Sequence, residues 1–180
     1  IGAARAVIAG QSTPALEGEA FLRGDGELGA RLSGWFDRPK LSGRMTVFNA
    51  RAGQHSAERV EAAFDAERDR IIAREGTLVL APGFVRFSGL LDARDSVGDP
   101  NVSINLRAEK LDLTRLIESV WAGQSRTAFG SISTGDVELS GPISHIKSRE
   151  PFQVRWENAF VGQIPILEAE GHVSVDGEAL

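Results

Sequence analysis

The sequence predicts a mainly β protein: a long antiparallel sheet with one apolar face, and a single short helix. Three observations predict it. First, apolar and polar residues alternate from end to end. The clearest stretch is Asn101-Val102-Ser103-Ile104-Asn105-Leu106-Arg107-Ala108-Glu109, where every even position is apolar and every odd one polar. A period of two gives a strand one oily face and one wet face. Second, the 20 glycines among 180 residues exceed ordinary usage and suit many strands joined by turns. Third, only one stretch has a clear helical period, from Leu113 to Trp121.

Taken in order, Leu16, Gly18, Ala20 and Leu22 alternate with polar or outward neighbours, as do Leu28, Ala30, Leu32 and Gly34. Asp25-Gly26 between them predicts a hairpin turn. Asp37-Arg38-Pro39 predicts the next turn. A strand over about 41–50 follows, with Met45 and Val47 on one face and Phe48 on the other. Residues 55–70 carry enough Glu and Arg for a helix. Yet Val60, Ala62, Phe64 and Ala66 alternate strictly with their neighbours, which predicts a strand. Gly76–Leu80 and Phe84–Ala93 are the next strands, punctuated by Gly76 and Pro82-Gly83, and Asp95–Pro100 is a polar loop before the strand at 102–108. Leu113, Leu116, Ile117, Val120 and Trp121 then make one apolar helical stripe, with Asp112 or Thr114 as N-cap and Gly123 as stop. Gln124–Ser131 predicts a small-residue loop. Strands resume near 135–140, 152–158 and 166–176.

An internal echo links distant segments. Residues 30–47 (ARLSGWFDRPKLSGRMTV) resemble residues 137–154 (VELSGPISHIKSREPFQV): a strand ending in Leu-Ser-Gly, a short turn, and another strand. A large repeat is predicted. Residues 1–180 then form a single segment of a longer repeat protein. One repeat covers about 28–123 and ends in the helix, and the next begins at about 127–180. Ile1 in place of Met, within strand-like sequence, also predicts a piece of a longer chain.

Composition excludes several function classes. Hydrophobic content of 42% and charged content of 25% are those of an ordinary folded domain. Net charge is −5 and no basic block exceeds a pair, so nucleic acid is not an expected partner. The absence of cysteine removes disulfides, thiolate nucleophiles and Cys-ligated zinc. No apolar run approaches the ~18–20 residues of a membrane span. His55, His145 and His172 are scattered, with no His-x-x-x-His pair, and read as surface residues. No Gly-x-Ser-x-Gly elbow occurs. The carboxylates mostly fill the wet positions of strands, where solvation explains them. A glycosidase pair would need tertiary convergence. No catalytic, cofactor-binding or metal residue is assigned, and no enzyme activity is expected. Trp121 reads as core and Trp156 as sheet packing. Trp35 lies on the face opposite Leu32 and Gly34.

What the pattern does supply is a surface. Val60, Ala62, Phe64, Val85, Phe87, Leu91, Val102, Ile104, Leu106, Val137 and Leu139 are the candidates for one shared apolar face. Leu113, Leu116, Ile117 and Val120 are the candidates for a helix packed at its end or mouth. A one-sided sheet must be covered, close on itself, or offer its apolar face to a ligand.

Three stretches carry a family resemblance: LSGWFDRPKLSGRMTV at 32–47, NVSINLRAEKLDLTRLIESV at 101–120, and GDVELSGPI at 135–143. Together with the alternating strands between them, they resemble the TamB-like and AsmA-like proteins of Gram-negative envelopes. The resemblance implies an elongated, U-shaped antiparallel β-groove, β-taco-like, with an apolar concave face. It implies a periplasmic location, with an inner-membrane anchor outside this segment. It also implies phospholipid acyl chains as ligand and a BamA-like outer-membrane protein as a partner of the full-length protein. The function expected is conduction of phospholipid between inner and outer membranes, support of outer-membrane protein assembly, or both. The alternative from the pattern alone is a structural or adhesive β-domain with a closed core and no conduit.

Overall fold

The computed structural model describes residues 4–8, 22–35, 38–52, 55–94, 98–112, 114, 128–161 and 164–177. These residues are mainly β and every strand pairing is antiparallel. The strands are β1 (Ala4–Ile8), β2 (Leu22–Trp35), β3 (Arg38–Ala52), β4 (His55–Glu67), β5 (Arg70–Leu80), β6 (Gly83–Asp92), β7 (Asn101–Glu109), β8 (Leu111–Asp112), β9 (Ala128–Thr134) and β10 (Val137–Pro142). A 3-10 turn (Ile143–His145) leads to β11 (Lys147–Ser148), β12 (Phe152–Val161) and β13 (Ile164–Val173). Two open sheets result, in the orders β1-β2-β3-β4-β5-β6-β7-β10-β11 and β13-β12-β9-β8. Neither closes into a barrel.

The two sheets are one ribbon with a local break. Val137 pairs with Leu106; five residues back along one strand and five forward along the other, Ile132 pairs with Leu111. The register is therefore the same on both sides of the gap. Across the gap, hydroxyls replace the backbone ladder: the Ala108 and Lys110 amides each donate to a side chain, Thr134 Oγ1 and Ser133 Oγ, at 3.0 Å. Such bonds satisfy donors that the interrupted ladder would leave unpaired. β7 with β8, β9 with β10, and β11 with β12 thus act as three long kinked strands, and the molecule is a meander of sequence neighbours.

Three kinks share one construction. Asn49, Lys110 and Asn158 have φ of 50, 54 and 50°, in the left-handed region that L-residues seldom adopt. The residue after each is buried: Ala50 at 2% exposure, Leu111 at 7% and Ala159 at 2%. Each kink faces a glycine on a neighbouring strand. A Cβ on Gly24 would lie 2.6 Å from the Phe48 carbonyl oxygen, one on Gly83 2.3 Å from that of Glu109, and one on Gly130 2.7 Å from the Ala159 Cα. Only glycine allows the bulged strand so close.

Several expected boundaries move. Asp25-Gly26 is not a hairpin turn but lies inside β2, where Asp25 opposes Phe48 and Gly26 opposes Val47. Arg38 and Pro39 belong to β3, and β5 begins at Arg70 rather than Gly76. Residues 128–131, read as loop, open β9. The strand at 55–67 is present as β4. The expected strand before Leu22 lies outside the described residues. So do Leu113, Leu116, Ile117, Val120 and Trp121, and with them the expected helix. Within that stretch Thr114 is described, and its amide donates to Asp112 Oδ1 at 2.9 Å, the short-range contact an Asp makes to the amide two residues on.

Candidate functional site: an apolar sheet face

Residues directly opposite each other in an antiparallel ladder point to the same face. Following the register from β3 to β10 therefore sorts the side chains into rows. One row runs Val47, Val60, Leu78, Val85 and Ala108. The next runs Met45, Ala62, Gly76, Phe87, Leu106 and Val137. A third runs Gly43, Phe64, Ala73, Gly89, Ile104 and Leu139, and a fourth Leu41, Ala66, Ile71, Leu91, Val102 and Gly141. β2 continues the four rows with Gly26, Leu28, Ala30 and Leu32. All eleven candidate positions from Val60 to Leu139 fall on these rows, together on one face.

At about 4.8 Å between strands and 3.4 Å per residue, the four rows cover about 24 Å from β3 to β10 and about 20 Å along the strands. No charged residue lies on them. The opposite face carries the ions. Lys40 pairs with Glu67 (2.6 Å), Arg44 with Glu75 (3.3 Å) and Arg74 with Asp65 (3.0 Å). Farther along, Arg155 pairs with Glu170 (2.7 Å) and Glu168 (3.4 Å). Exposed pairs of this kind contribute only ~0.2–1 kcal/mol each, so the charged face supplies solubility more than stability.

The apolar face is not a closed core. Among the described residues no large side chain is fully buried. Phe64, Val85, Phe87, Leu91, Val102, Ile104, Leu106 and Leu139 are only part-buried, while Val60, Ala62 and Val137 are buried. Burial concentrates at one rim, where Ala50, Ala57 and Val60 pack with Met45, Val47, Leu78 and Leu80. The floor is low: the rows contain Gly43, Gly76, Gly89 and Gly141. Over Gly76 lies the ring of Phe87, whose Cζ would stand 2.3 Å from a Cβ there. The aromatic ring thus covers the floor where a side chain is missing.

Sequence reasoning missed part of this surface. Ile71 and Ala73 join it because β5 shifts register between Ala73 and Gly76, so its inward positions change from even to odd. A bulge cancels strict alternation, and no local signal marks it. Met45, Leu41 and Leu28 were recoverable from periodicity once their pairing was known. In the four-stranded sheet, Leu111, Ile132, Trp156 and Ala169 make a similar apolar row. Trp156 Nε1 is buried there with no partner among the described residues. Trp35 is 83% exposed.

The charged face has a polar cavity of about 270 Å³ where the ladder breaks, lined by residues that include Arg107, Ser133, Gln153 and Arg155. Its arginines already face carboxylates, Arg107 with Glu109 at 3.7 Å and Arg155 with Glu170 at 2.7 Å, which offsets their charge toward an anion. Among the described residues no group of three or more His, Cys, Asp or Glu is arranged to hold a metal. No helix there is long and apolar enough to cross a membrane. Two shifted carboxyls have local causes. Asp92 is held down to about 2 by hydrogen bonds from the Arg94 side chain and amide. Asp99 is lowered by the Ser144 hydroxyl and amide, at 2.5 and 3.1 Å.

The chain matches no family model, no curated protein and no solved structure.

Proposed function

We propose that the apolar face is a trough for phospholipid acyl chains, in a bacterial envelope protein that moves lipid between membranes. One observation carries the reading. A four-row apolar surface runs unbroken across successive strands, and its large side chains remain part-exposed. Apolar patches of this size mark binding sites for apolar partners. Each CH₂ buried there stabilises by ~0.8 kcal/mol, so a fraction of one tail suffices for appreciable binding. The absence of charge on the rows implies weak head-group selectivity. The TamB-like and AsmA-like resemblance of residues 32–47, 101–120 and 135–143 supports the same reading. It adds a periplasmic location, a membrane anchor elsewhere in the full-length protein, and assembly of outer-membrane proteins through a BamA-like partner.

Photo-crosslinking tests it. A crosslinking amino acid at Ile104 or Phe87 of the full-length protein, in its native envelope, is expected to capture phospholipid. The same probe at Ser103 or Arg86, one residue along and on the charged face, is expected to capture far less. Ile104→Arg is expected to impair transport and leave the fold largely intact. Equal capture on both faces, capture on neither, or unfolding by Ile104→Arg would favour a closed structural or adhesive domain instead.

A further inference from the structure

The break between the two sheets is not confined to one pair of strands. Along β7–β8 the ladder to β9–β10 stops at Leu106, opposite Val137, and resumes at Leu111, opposite Ile132. Between β10–β9 and β11–β12 it stops at Leu139, opposite Ser148, and resumes at Thr134, opposite Val154. Between β12 and β13 it ends at Phe152, opposite Val173, and a single bridge from Lys147 to Asp176 lies beyond. The gaps lie side by side. They form a crease that crosses four successive strands and sets off a flap, made of β8, β9, β12 and β13, from the part that holds β7, β10 and β11.

The first half of the molecule has the same plan without the crease. Arg31-Leu32-Ser33-Gly34 matches Glu138-Leu139-Ser140-Gly141, and the kink at Asn49 matches that at Asn158. Ala50 opposes Ala57 as Ala159 opposes Ile166. At the level of the crease, Leu28, Gly29, Ala30 and Arg31 pair without interruption with Met45, Arg44, Gly43 and Ser42. One hairpin is thus held by a full ladder where its counterpart is not.

Across the crease, side-chain hydroxyls stand in for ladder carbonyls. Thr134 Oγ1, Ser133 Oγ and Ser148 Oγ accept from the Ala108, Lys110 and Val175 amides at 3.0, 3.0 and 2.9 Å. A hydroxyl turns about its own bond and keeps its partner as the backbone tilts, which a carbonyl fixed in a ladder does not. Pivot and free space lie on opposite faces. On the apolar face Ala108, Leu111 and Val137 are buried at the crease. On the charged face the cavity of about 270 Å³ runs beside it, lined by Arg107, Ser133, Gln153 and Arg155 among others. We propose that the crease is a flexure line. The flap swings about the buried contact of Ala108, Leu111 and Val137, with the cavity as the room it moves into. It carries its own apolar row, Leu111, Ile132, Trp156 and Ala169, toward or away from the rest of the apolar face. The trough is then adjustable in width beside the flap and fixed along β2 to β6. This inference does not depend on what the trough holds.

Because the chain has no cysteine, spin labels can be placed in pairs without background. Ser140→Cys with Leu167→Cys spans the crease. Ser33→Cys with Glu58→Cys takes the matching positions of the uncreased hairpin, and all four residues are exposed. In the full chain, the distance distribution from pulsed electron paramagnetic resonance is expected to be about twofold broader for the first pair than for the second. Thr134→Val removes one hydroxyl bridge and is expected to broaden the first distribution further. Thr134→Ser keeps the hydroxyl and is expected to restore the original width. Neither change should alter the Ser33–Glu58 width. Equal widths for the two pairs with Thr134 in place would overturn the proposal, whatever becomes of the variants. So would a folded Thr134→Val chain whose first distribution is no broader.

Discussion

The two rims of the trough differ far more than their chemistry does. The row through Val60, Leu78 and Ala108 and the row through Leu32, Leu41 and Ile71 lie on the same face and are equally apolar. Yet Val60 and Ala108 are 9% and 4% exposed, while Leu32 and Ile71 are 72% and 46% exposed. The difference follows the kinks. Asn49 and Lys110 sit beyond the first row and turn Ala50 and Leu111 inward, so that rim folds over its own apolar residues. Beside the second row the described residues with positive φ are all glycines, Gly34 and Gly141 at strand ends and Gly98 in the loop, and that rim stays open. Burial here is set by backbone bends rather than by hydrophobicity.

Substitutions that break the comparison should rank accordingly. Val60→Asp puts a carboxylate into the closed rim and is expected to cost on the order of 3 kcal/mol, read by chemical denaturation. Gly76→Ala drives a methyl into the Phe87 ring. Overpacking of that kind costs ~1–3 kcal/mol, and the expected signature is a changed accessibility of the trough to an apolar dye. Asn49→Val forces a β-branched residue to φ of 50°. A loss of ~1–2 kcal/mol is expected, with Asn49→Gly near neutral, and the contrast between the two isolates the bend from the side chain. Ile71→Ser, on the open rim, should change stability by no more than ~0.5 kcal/mol.

The smallest effect is a pH response. The Asp92 carboxyl is depressed in the folded chain by Arg94, so its contribution is present above the ordinary Asp range and is lost as pH falls from there through about 2. Asp92→Asn should flatten that segment of the acid-unfolding curve, lying slightly below the wild type at neutral pH and meeting it as pH falls through about 2. A mutant curve that parallels the wild type throughout would show the contact to be inconsequential.

Alternation made the central strands legible. At Asn101–Glu109 the apolar positions Val102, Ile104, Leu106 and Ala108 pair only with apolar residues or glycine of β6 and β10. Legibility failed wherever the backbone departs from a flat strand. β5 was read only from Gly76, because the register shift beside Arg74 and Glu75 destroys the period of Ile71 and Ala73. Asp25-Gly26 has the composition of a turn. Here Gly26 serves close approach instead, since a Cβ would fall 2.7 Å from the Thr46 carbonyl oxygen. The kinks were invisible for the same reason: nothing in Phe48-Asn49-Ala50 distinguishes a bend from ordinary strand until the opposing glycine is known. The membership of the apolar face was therefore readable in part, and the asymmetry of its rims was not.

The meander also constrains how the protein comes to be folded. Successive long strands pair with the strands beside them in sequence, so each new strand docks on an edge that its predecessor has just completed. Growth is by template, with most closures short, the longest connection running over residues 113–127, and no distant segment to await. Stability is then close to a sum of neighbour terms, as in a one-dimensional array. A local defect, such as a lost kink, halts or frays the array at that point without dissolving what was laid down before it. Amide exchange should accordingly be slowest in the middle strands β4 to β6 and fastest in the end strands β1 and β13, whose single described neighbours are β2 and β12.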